Sequence, residues 1–116
     1  MPRSNVNSYG YLYGYLLGSQ VDKTRFEWDA SKDLENQRKH QVAFGWAQFA
    51  FADPQRVIAQ DMRHSDDEIR FYCFGSVDEG VLTVRFTYRD GVIRIIGAGF
   101  WRKGKIIYEE KNQIHR

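Results

Sequence analysis

The chain has 116 residues, of which 42% are hydrophobic, so it can form one domain with a two-layer core but not two domains. No apolar run approaches the length of a membrane span, and the single cysteine, Cys73, excludes an internal disulfide. Because Cys73 and the three histidines lack metal-ligand spacing, we expect no zinc site and no cofactor. The net charge is +2, but residues 85–105 hold six basic residues and one acid. Such a patch favours a polyanion or an acidic partner, with a solvated basic face as the alternative.

Within residues 1–25, the segment from Tyr9 to Gly18 alternates aromatic residues with glycine, and the region lacks the basic start and purer apolar segment of a secretory signal. We expect an N-terminal extension here, either poorly ordered or docked through its tyrosines. A single domain is predicted to follow over residues 26–116.

Three helices are predicted in this domain. The first covers residues 30–40 after a short strand, because the Asp29 carboxylate can cap the free amides of a first turn, and Leu34 is its main apolar contact. The second covers residues 44–52, where apolar side chains recur at helical spacing. The third begins at about Lys105, with the two isoleucines that follow it as packing positions, since the preceding glycine is a poor helix-interior residue.

Between the second and third helices the pattern becomes that of a sheet, with strands at residues 56–60, 69–75, 81–88 and 92–98. The pair Asp90-Gly91 predicts a two-residue hairpin turn, in which both residues need positive φ. This turn pairs Thr87 with Arg94 and, two positions on, Arg85 with Ile96. Arg85, Thr87 and Arg94 then share the face opposite the one under the helices. Such a face suits RNA or a protein partner.

The charged run at residues 61–70 holds the side chains that metal-free RNA cleavage needs. These are a group that takes the 2′-OH proton, an acid for the leaving oxygen and fixed cations for the phosphorane. A solvated turn has the same composition, so both interpretations stay open. The groups concerned are Arg63, His64, Glu68 and Arg70.

The order of several short motifs resembles the BrnT toxins of bacterial type II toxin–antitoxin systems, from residue 26 to about residue 98. The resemblance implies a RelE-like α+β fold, a mainly antiparallel sheet of about four strands with helices packed on one face. It also implies a cytoplasmic ribonuclease, neutralised by a BrnA-type ribbon-helix-helix antitoxin, whose complex represses its own operon by binding operator DNA. The motifs are Phe26–Asp29, Lys32, Asn36, Lys39-His40, Val42, Phe44, Ala47, Asp53-Pro54, Asp61–His64, Glu68, Arg70, Gly75, Val81–Thr87 and Arg94–Ile96.

In such a ribonuclease, arginines bind and neutralise the phosphate while His64 or Glu68 moves protons. The catalytic candidates are therefore Arg63, His64, Glu68 and Arg70, and the RNA-binding candidates are Arg85, Arg94, Arg102 and Lys103.

One departure from the family concerns the last strand. After Arg94-Ile95-Ile96 the family normally continues Ser-Ala-Arg, whereas this chain has Gly97-Ala98-Gly99. The alternative function is therefore a non-catalytic protein that keeps the antitoxin interface and acts as a partner or corepressor. A regular strand would aim position 99 at the core, and a bulge near Gly97 would turn it toward the open face.

Overall fold

The computed structural model of the protein describes residues 4–6, 11–17, 23–65 and 67–114. Its helices are α1 (Ala30–His40), α2 (Phe44–Ala47), a 3-10 helix (Gln48–Ala52) and α3 (Arg102–Lys111). Its strands are β1 (Ser4–Val6), β2 (Tyr11–Leu17), β3 (Lys23–Asp29), β4 (Val57–Gln60), β5 (Arg70–Val77), β6 (Gly80–Arg89) and β7 (Val92–Gly99).

The described strands form one sheet in the order β1-β2-β3-β7-β6-β5-β4. The four antiparallel strands β4 to β7 were expected, and the α+β class is confirmed. The sheet is nevertheless mixed, because β3 lies parallel to β7, and β1 and β2 extend it beyond β3. The prediction of an extension over residues 1–25 falls partly outside the described residues, and the division into extension and domain stays a prediction.

The β6–β7 hairpin turns as predicted, with φ of 53° at Asp90 and 76° at Gly91. The predicted pairing is confirmed as far as Phe86 opposite Ile95. Beyond that pair the register shifts, and Arg85 lies opposite Gly97 instead of Ile96. An extra residue in β7 therefore forms a bulge, which the register counted from the turn alone does not include.

The bulge reverses which face of β7 each later residue occupies. Gly99 now pairs with Thr83, and Gly97 pairs with Arg85. Directly paired residues share a face of a sheet, so Gly99 lies on the face of the cation Arg85 and not on the core face. The bulge alternative is confirmed.

One face of the sheet packs under α1, α2 and the 3-10 helix. Phe26, Trp28, Phe44 and Phe86 are buried there. The 3-10 helix rests directly on β5 at Gly75, where a Cβ would lie 2.2 Å from the Ala50 carbonyl oxygen. Tyr88 lies on the same face, with its ring centroid 5.3 Å from those of Phe71 and Phe86, but it is 54% exposed at the end of the hairpin.

The α1 helix docks through polar side chains and not through Leu34, which is 67% exposed. The Asn36 amide donates to the carbonyls of Val42 and Ala98, at 2.8 and 2.9 Å, and accepts from the Ala98 amide at 3.2 Å. The Asp33 carboxylate accepts from the Phe44 amide at 2.9 Å, which satisfies the start of α2. The predicted apolar contact is therefore replaced by a hydrogen-bonded one.

The α3 helix packs on the opposite face, so the prediction of helices on one face is corrected. It begins at Arg102, three residues before the predicted start, and includes Gly104. A Cβ at Gly104 would lie 2.0 Å from Thr83 Oγ1 and 3.0 Å from the Phe74 ring, so glycine is required for this close approach. Gly104 and Tyr108 are the buried residues of the helix, and Ile106, one of the predicted packing positions, is exposed.

Candidate active site

A groove of about 640 Å³ lies between α3 and the face of the sheet that carries Arg85. We call it the α3 groove. Cross-strand pairing builds its floor, because β5 and β6 place Tyr72 beside Arg85 and Phe74 beside Thr83. The residues of the groove that matter for chemistry are Tyr72, Thr83, Arg85, Trp101 and Lys103.

A buried carboxylate lies next to the groove, immediately after β4. Asp61 is 3% exposed. It accepts a hydrogen bond from the Arg63 amide at 3.1 Å and lies 3.6 Å from Arg85 Nη2. Burial opposes its ionisation, but hydrogen bonds from His64, the Arg63 amide and the Tyr72 hydroxyl hold the pKa of Asp61 below its usual range. Asp61 is therefore a fixed negative charge beneath the loop.

His64 is the side chain that Asp61 orients. Its Nδ1 lies 3.0 Å from Asp61 Oδ2, and the side chain is 55% exposed. With a carboxylate at Nδ1, the neutral ring carries its proton on that nitrogen and leaves Nε2 as the proton acceptor. The arrangement gives an accessible imidazole a defined tautomer, which is what general-base catalysis needs.

The loop that carries these groups is closed by its own hydrogen bonds. Ser65 Oγ donates to the Asp61 carbonyl at 2.5 Å and accepts from the Arg70 amide at 3.1 Å. At the far end, Thr87 Oγ1 donates to the Ile69 carbonyl at 2.8 Å. The described residues at both ends of the run are therefore anchored by hydrogen bonds.

The structure brings some of the predicted site residues together. Arg63 and His64 both contact Asp61, Arg63 through its amide, and Arg85 reaches the same carboxylate. Lys103 lines the groove that Arg85 also lines. These four residues combine an oriented imidazole with a positively charged surface.

The other predicted residues have different surroundings. Glu68 is held by Arg89 at 3.1 Å, and Arg94 lies 3.4 Å from Glu27 with both side chains largely buried. Arg70 begins β5 on the face of the groove, opposite Thr87, and Arg102 is an exposed residue in the first turn of α3. Their predicted roles stay predictions.

Asp61, Tyr72 and Trp101 were missed as site residues. The spacing of Asp61 and His64, three apart after a strand, was one signal. Alternation along β5 was another, because Tyr72 pairs with Arg85 and so shares its face. Nothing in the sequence pointed to Trp101, whose place depends on how α3 packs.

Trp101 occupies the space above Gly99. A Cβ at Gly99 would lie 2.6 Å from the indole ring. The ring also meets His40 edge to face, with centroids 5.1 Å apart. An indole therefore covers the position at which the resemblance described above leads to the expectation of an arginine.

Among the residues that the structure describes, no three histidine, cysteine or acidic side chains lie close enough to hold a metal ion. No helix in the described ranges is long and apolar enough to cross a bilayer.

Comparison with known families agrees with the geometry. A family model described as the ribonuclease toxin BrnT of a type II toxin–antitoxin system matches residues 28–104, more than half of the chain. Comparison with individual curated proteins gave no match. A ribonuclease toxin of a type II system acts on RNA and has an antitoxin as its partner. The chain therefore belongs to the BrnT family of ribonuclease toxins.

Proposed function

We propose that this chain is an endoribonuclease that cleaves RNA without a metal ion, with the 2′-OH of the substrate as nucleophile. The observation that carries the proposal is His64, oriented by the buried Asp61 beside the α3 groove. A defined acceptor nitrogen next to fixed cations is the minimum that this reaction requires.

In the proposed reaction His64 Nε2 takes the 2′-OH proton while the 2′-oxygen forms a bond to phosphorus. The bond from phosphorus to the 5′-oxygen breaks, and the imidazolium gives its proton to that oxygen. The products are a 2′,3′-cyclic phosphate and a 5′-OH. Asp61 stabilises the imidazolium between the two proton transfers, and acid–base catalysis of this kind contributes about 10² to 10⁴ in rate.

The phosphate in this scheme faces Arg63, Arg85 and Lys103. Arg85 and Lys103 line the groove, and Arg63 stands exposed in the loop. Positive charges placed before the reaction stabilise the dianionic phosphorane more than the monoanionic diester. Arg70 lies on the same face of β5 and adds to this field.

The partner that we propose is a ribbon-helix-helix antitoxin of the BrnA kind, with operator DNA bound only through the complex, in the cytoplasm. Support comes from the family and from two apolar side chains, Met62 and Ile69, exposed in the loop of His64. A protein that covered them would also cover the imidazole.

A second function, a non-catalytic antitoxin partner, is favoured by two observations. The Trp101 indole covers Gly99, where the family has an arginine. Arg94, another predicted phosphate ligand, lies 3.4 Å from Glu27. Both features lower the positive charge that is available to a phosphate. Measurement of RNA cleavage decides between the two functions.

The test is RNA cleavage by the purified chain with and without EDTA. Wild-type activity should survive chelation, and His64→Ala and Arg63→Ala should each lower the rate at least tenfold with little change in melting temperature, because both side chains are exposed. Arg38→Ala, an exposed arginine of α1 on the opposite face, is the matched control and should leave the rate unchanged.

Activity that chelation abolishes and a divalent ion restores would contradict the metal-free mechanism. Wild-type cleavage by His64→Ala would remove the imidazole from it. A purified chain that binds its antitoxin but does not cleave RNA would establish the second function.

A further inference from the structure

The α3 groove has aromatic walls. Trp101 is 39% exposed, with its indole held over Gly99 and against His40. Tyr72 and Phe74 stack along β5 with centroids 5.7 Å apart and an interplanar angle of 24°. Phe74 is buried, but Trp101 and Tyr72 remain partly accessible, and accessible aromatic faces are the surfaces on which proteins stack nucleobases.

The same groove carries cations and unpartnered polar atoms. Arg85 and Lys103 supply positive charge. Within the described residues, Arg85 Nε and Thr83 Oγ1 are buried without a hydrogen-bond partner. Such atoms are unfavourable in a folded protein unless something satisfies them; Thr83 Oγ1 lies beneath Gly104 of α3, whereas the Arg85 side chain lines the groove. The groove therefore combines apolar walls with hydrogen-bonding capacity and positive charge.

We infer that the α3 groove binds an unpaired nucleotide of the RNA strand, with its base against Trp101 and the adjoining phosphate near Arg85 and Lys103. The inference rests on the proposed RNA cleavage and names its substrate class, single-stranded RNA. A volume of about 640 Å³ is within the range of small-molecule sites and accommodates one nucleotide. A base that is paired and stacked within a duplex cannot enter such a groove.

The competing occupant is an apolar segment of a protein partner. An apolar segment would leave Arg85 Nε unsatisfied and would remove the Lys103 ammonium from water without compensation, whereas the Arg85 guanidinium keeps Asp61 at 3.6 Å. A nucleotide supplies a π face, hydrogen-bonding edges and a negative charge together. The charge and polarity of the groove therefore favour the nucleotide.

The experiment measures binding of a mixed-sequence 2′-O-methyl RNA dodecamer, which cannot be cleaved, as a single strand and annealed to its complement. Tryptophan emission and the dissociation constant are followed for the wild type, Trp101→Ala, Trp101→Phe and Phe100→Ala. Phe100 is the matched control, since it is exposed, aromatic and adjacent but contacts Gly80 at the far side. Thermal melting verifies that each variant is folded.

The single strand should quench wild-type emission, and Trp101→Ala should weaken its binding about tenfold or more, as expected for one stacked base. Trp101→Phe should stay within about threefold of the wild type, Phe100→Ala should bind normally, and duplex binding should not depend on residue 101. Equal single-strand affinity in Trp101→Ala and the wild type would overturn the inference. Weakened antitoxin binding in Trp101→Ala, with single-strand affinity unchanged, would assign the groove to the protein partner instead.

The two proposals fail separately. Cleavage by the wild type with no effect of residue 101 on single-strand binding would reject the nucleotide site and leave the nuclease. Single-strand binding that depends on Trp101 in a wild-type chain without activity would reject the nuclease and support the nucleotide site.

Discussion

Asp61 organises more of the site than any other residue, because one buried carboxylate contacts the imidazole, the Arg63 amide and the Arg85 guanidinium. The charged run from which it comes contains several acids, and sequence reasoning singled out Glu68 instead. Local chemistry does not distinguish the two. Their roles differ because Asp61 directly follows β4 and is buried, whereas Glu68 contacts Arg89, which lies 21 positions away in the chain.

The Asp61→Asn variant tests this role through pH. The folded-state pKa of Asp61 is lowered, so its ionised form contributes stability that is present above the ordinary pKa of about 3.9 and is lost as pH falls through the folded value. We expect Asp61→Asn to be less stable than the wild type at pH 7 and pH 5. The difference should shrink toward pH 3, and cleavage should fall at least tenfold.

Urea unfolding at the three pH values measures the difference directly. Glu79→Gln, at an exposed acid of the β5–β6 turn, is the control and should show no such trend. A stability difference that stays constant from pH 7 to pH 3 would show that the charge of Asp61 does not matter to folding.

At the scale of elements, the features fixed by short-range chemistry were predictable and those fixed by distant packing were not. The Asp29 cap is confirmed, with its carboxylate 2.8 Å from the Ser31 amide, and α1 has its predicted bounds. The hairpin register holds until the bulge. The parallel pairing of β3 with β7 joins segments far apart in the chain, and α3 starts early because Gly104 fits against Thr83.

Because of the bulge, Gly97 and Gly99 differ in whether they tolerate a larger side chain. Gly97→Ala should leave stability unchanged or raise it by a few tenths of a kcal/mol, because φ is not positive there and no atom lies within 4 Å of an added Cβ. Gly99→Ala should push the partly exposed Trp101 indole off the groove and destabilise by about 1 kcal/mol. A red shift of tryptophan emission and weaker single-strand binding should accompany it.

Chemical denaturation and emission spectra of the two variants provide the measurement, with each serving as the control for the other. Equal behaviour of Gly97→Ala and Gly99→Ala would show that Trp101 does not rest on Gly99 in solution.

At the scale of the whole molecule, a net charge of +2 conceals an unequal distribution. The α3 groove and the adjoining loop gather basic side chains on one face, while Glu27 and Glu68 each neutralise an arginine elsewhere. The basic segment was visible in the sequence. Which of its cations face solvent was not, because that depends on acids contributed by β3 and by the loop after β4.

Binding of single-stranded RNA should therefore weaken with salt. For about three or four neutralised phosphates, the slope of log K against log salt should be roughly −2 to −3, and Arg85→Ala should reduce its magnitude by about 0.7. Titrations between about 50 and 300 mM salt measure this slope, because salt increasingly screens the exposed charges over this range. The Arg38→Ala control should keep the wild-type slope, and a slope near zero would assign the basic face to a protein partner.

Because the Trp101 indole contacts Gly99, a substitution at one of these two positions affects which residues the other can hold. An arginine placed at 99 by one substitution would collide with a ring 2.6 Å from its Cβ. Replacement of Trp101 alone would remove the aromatic wall of the groove without adding the positive charge of an arginine. Replacing Gly99 alone displaces the indole, and replacing Trp101 alone leaves neither an arginine nor an indole at this place. An arginine at position 99 therefore requires a second change at Trp101 that removes or moves the indole.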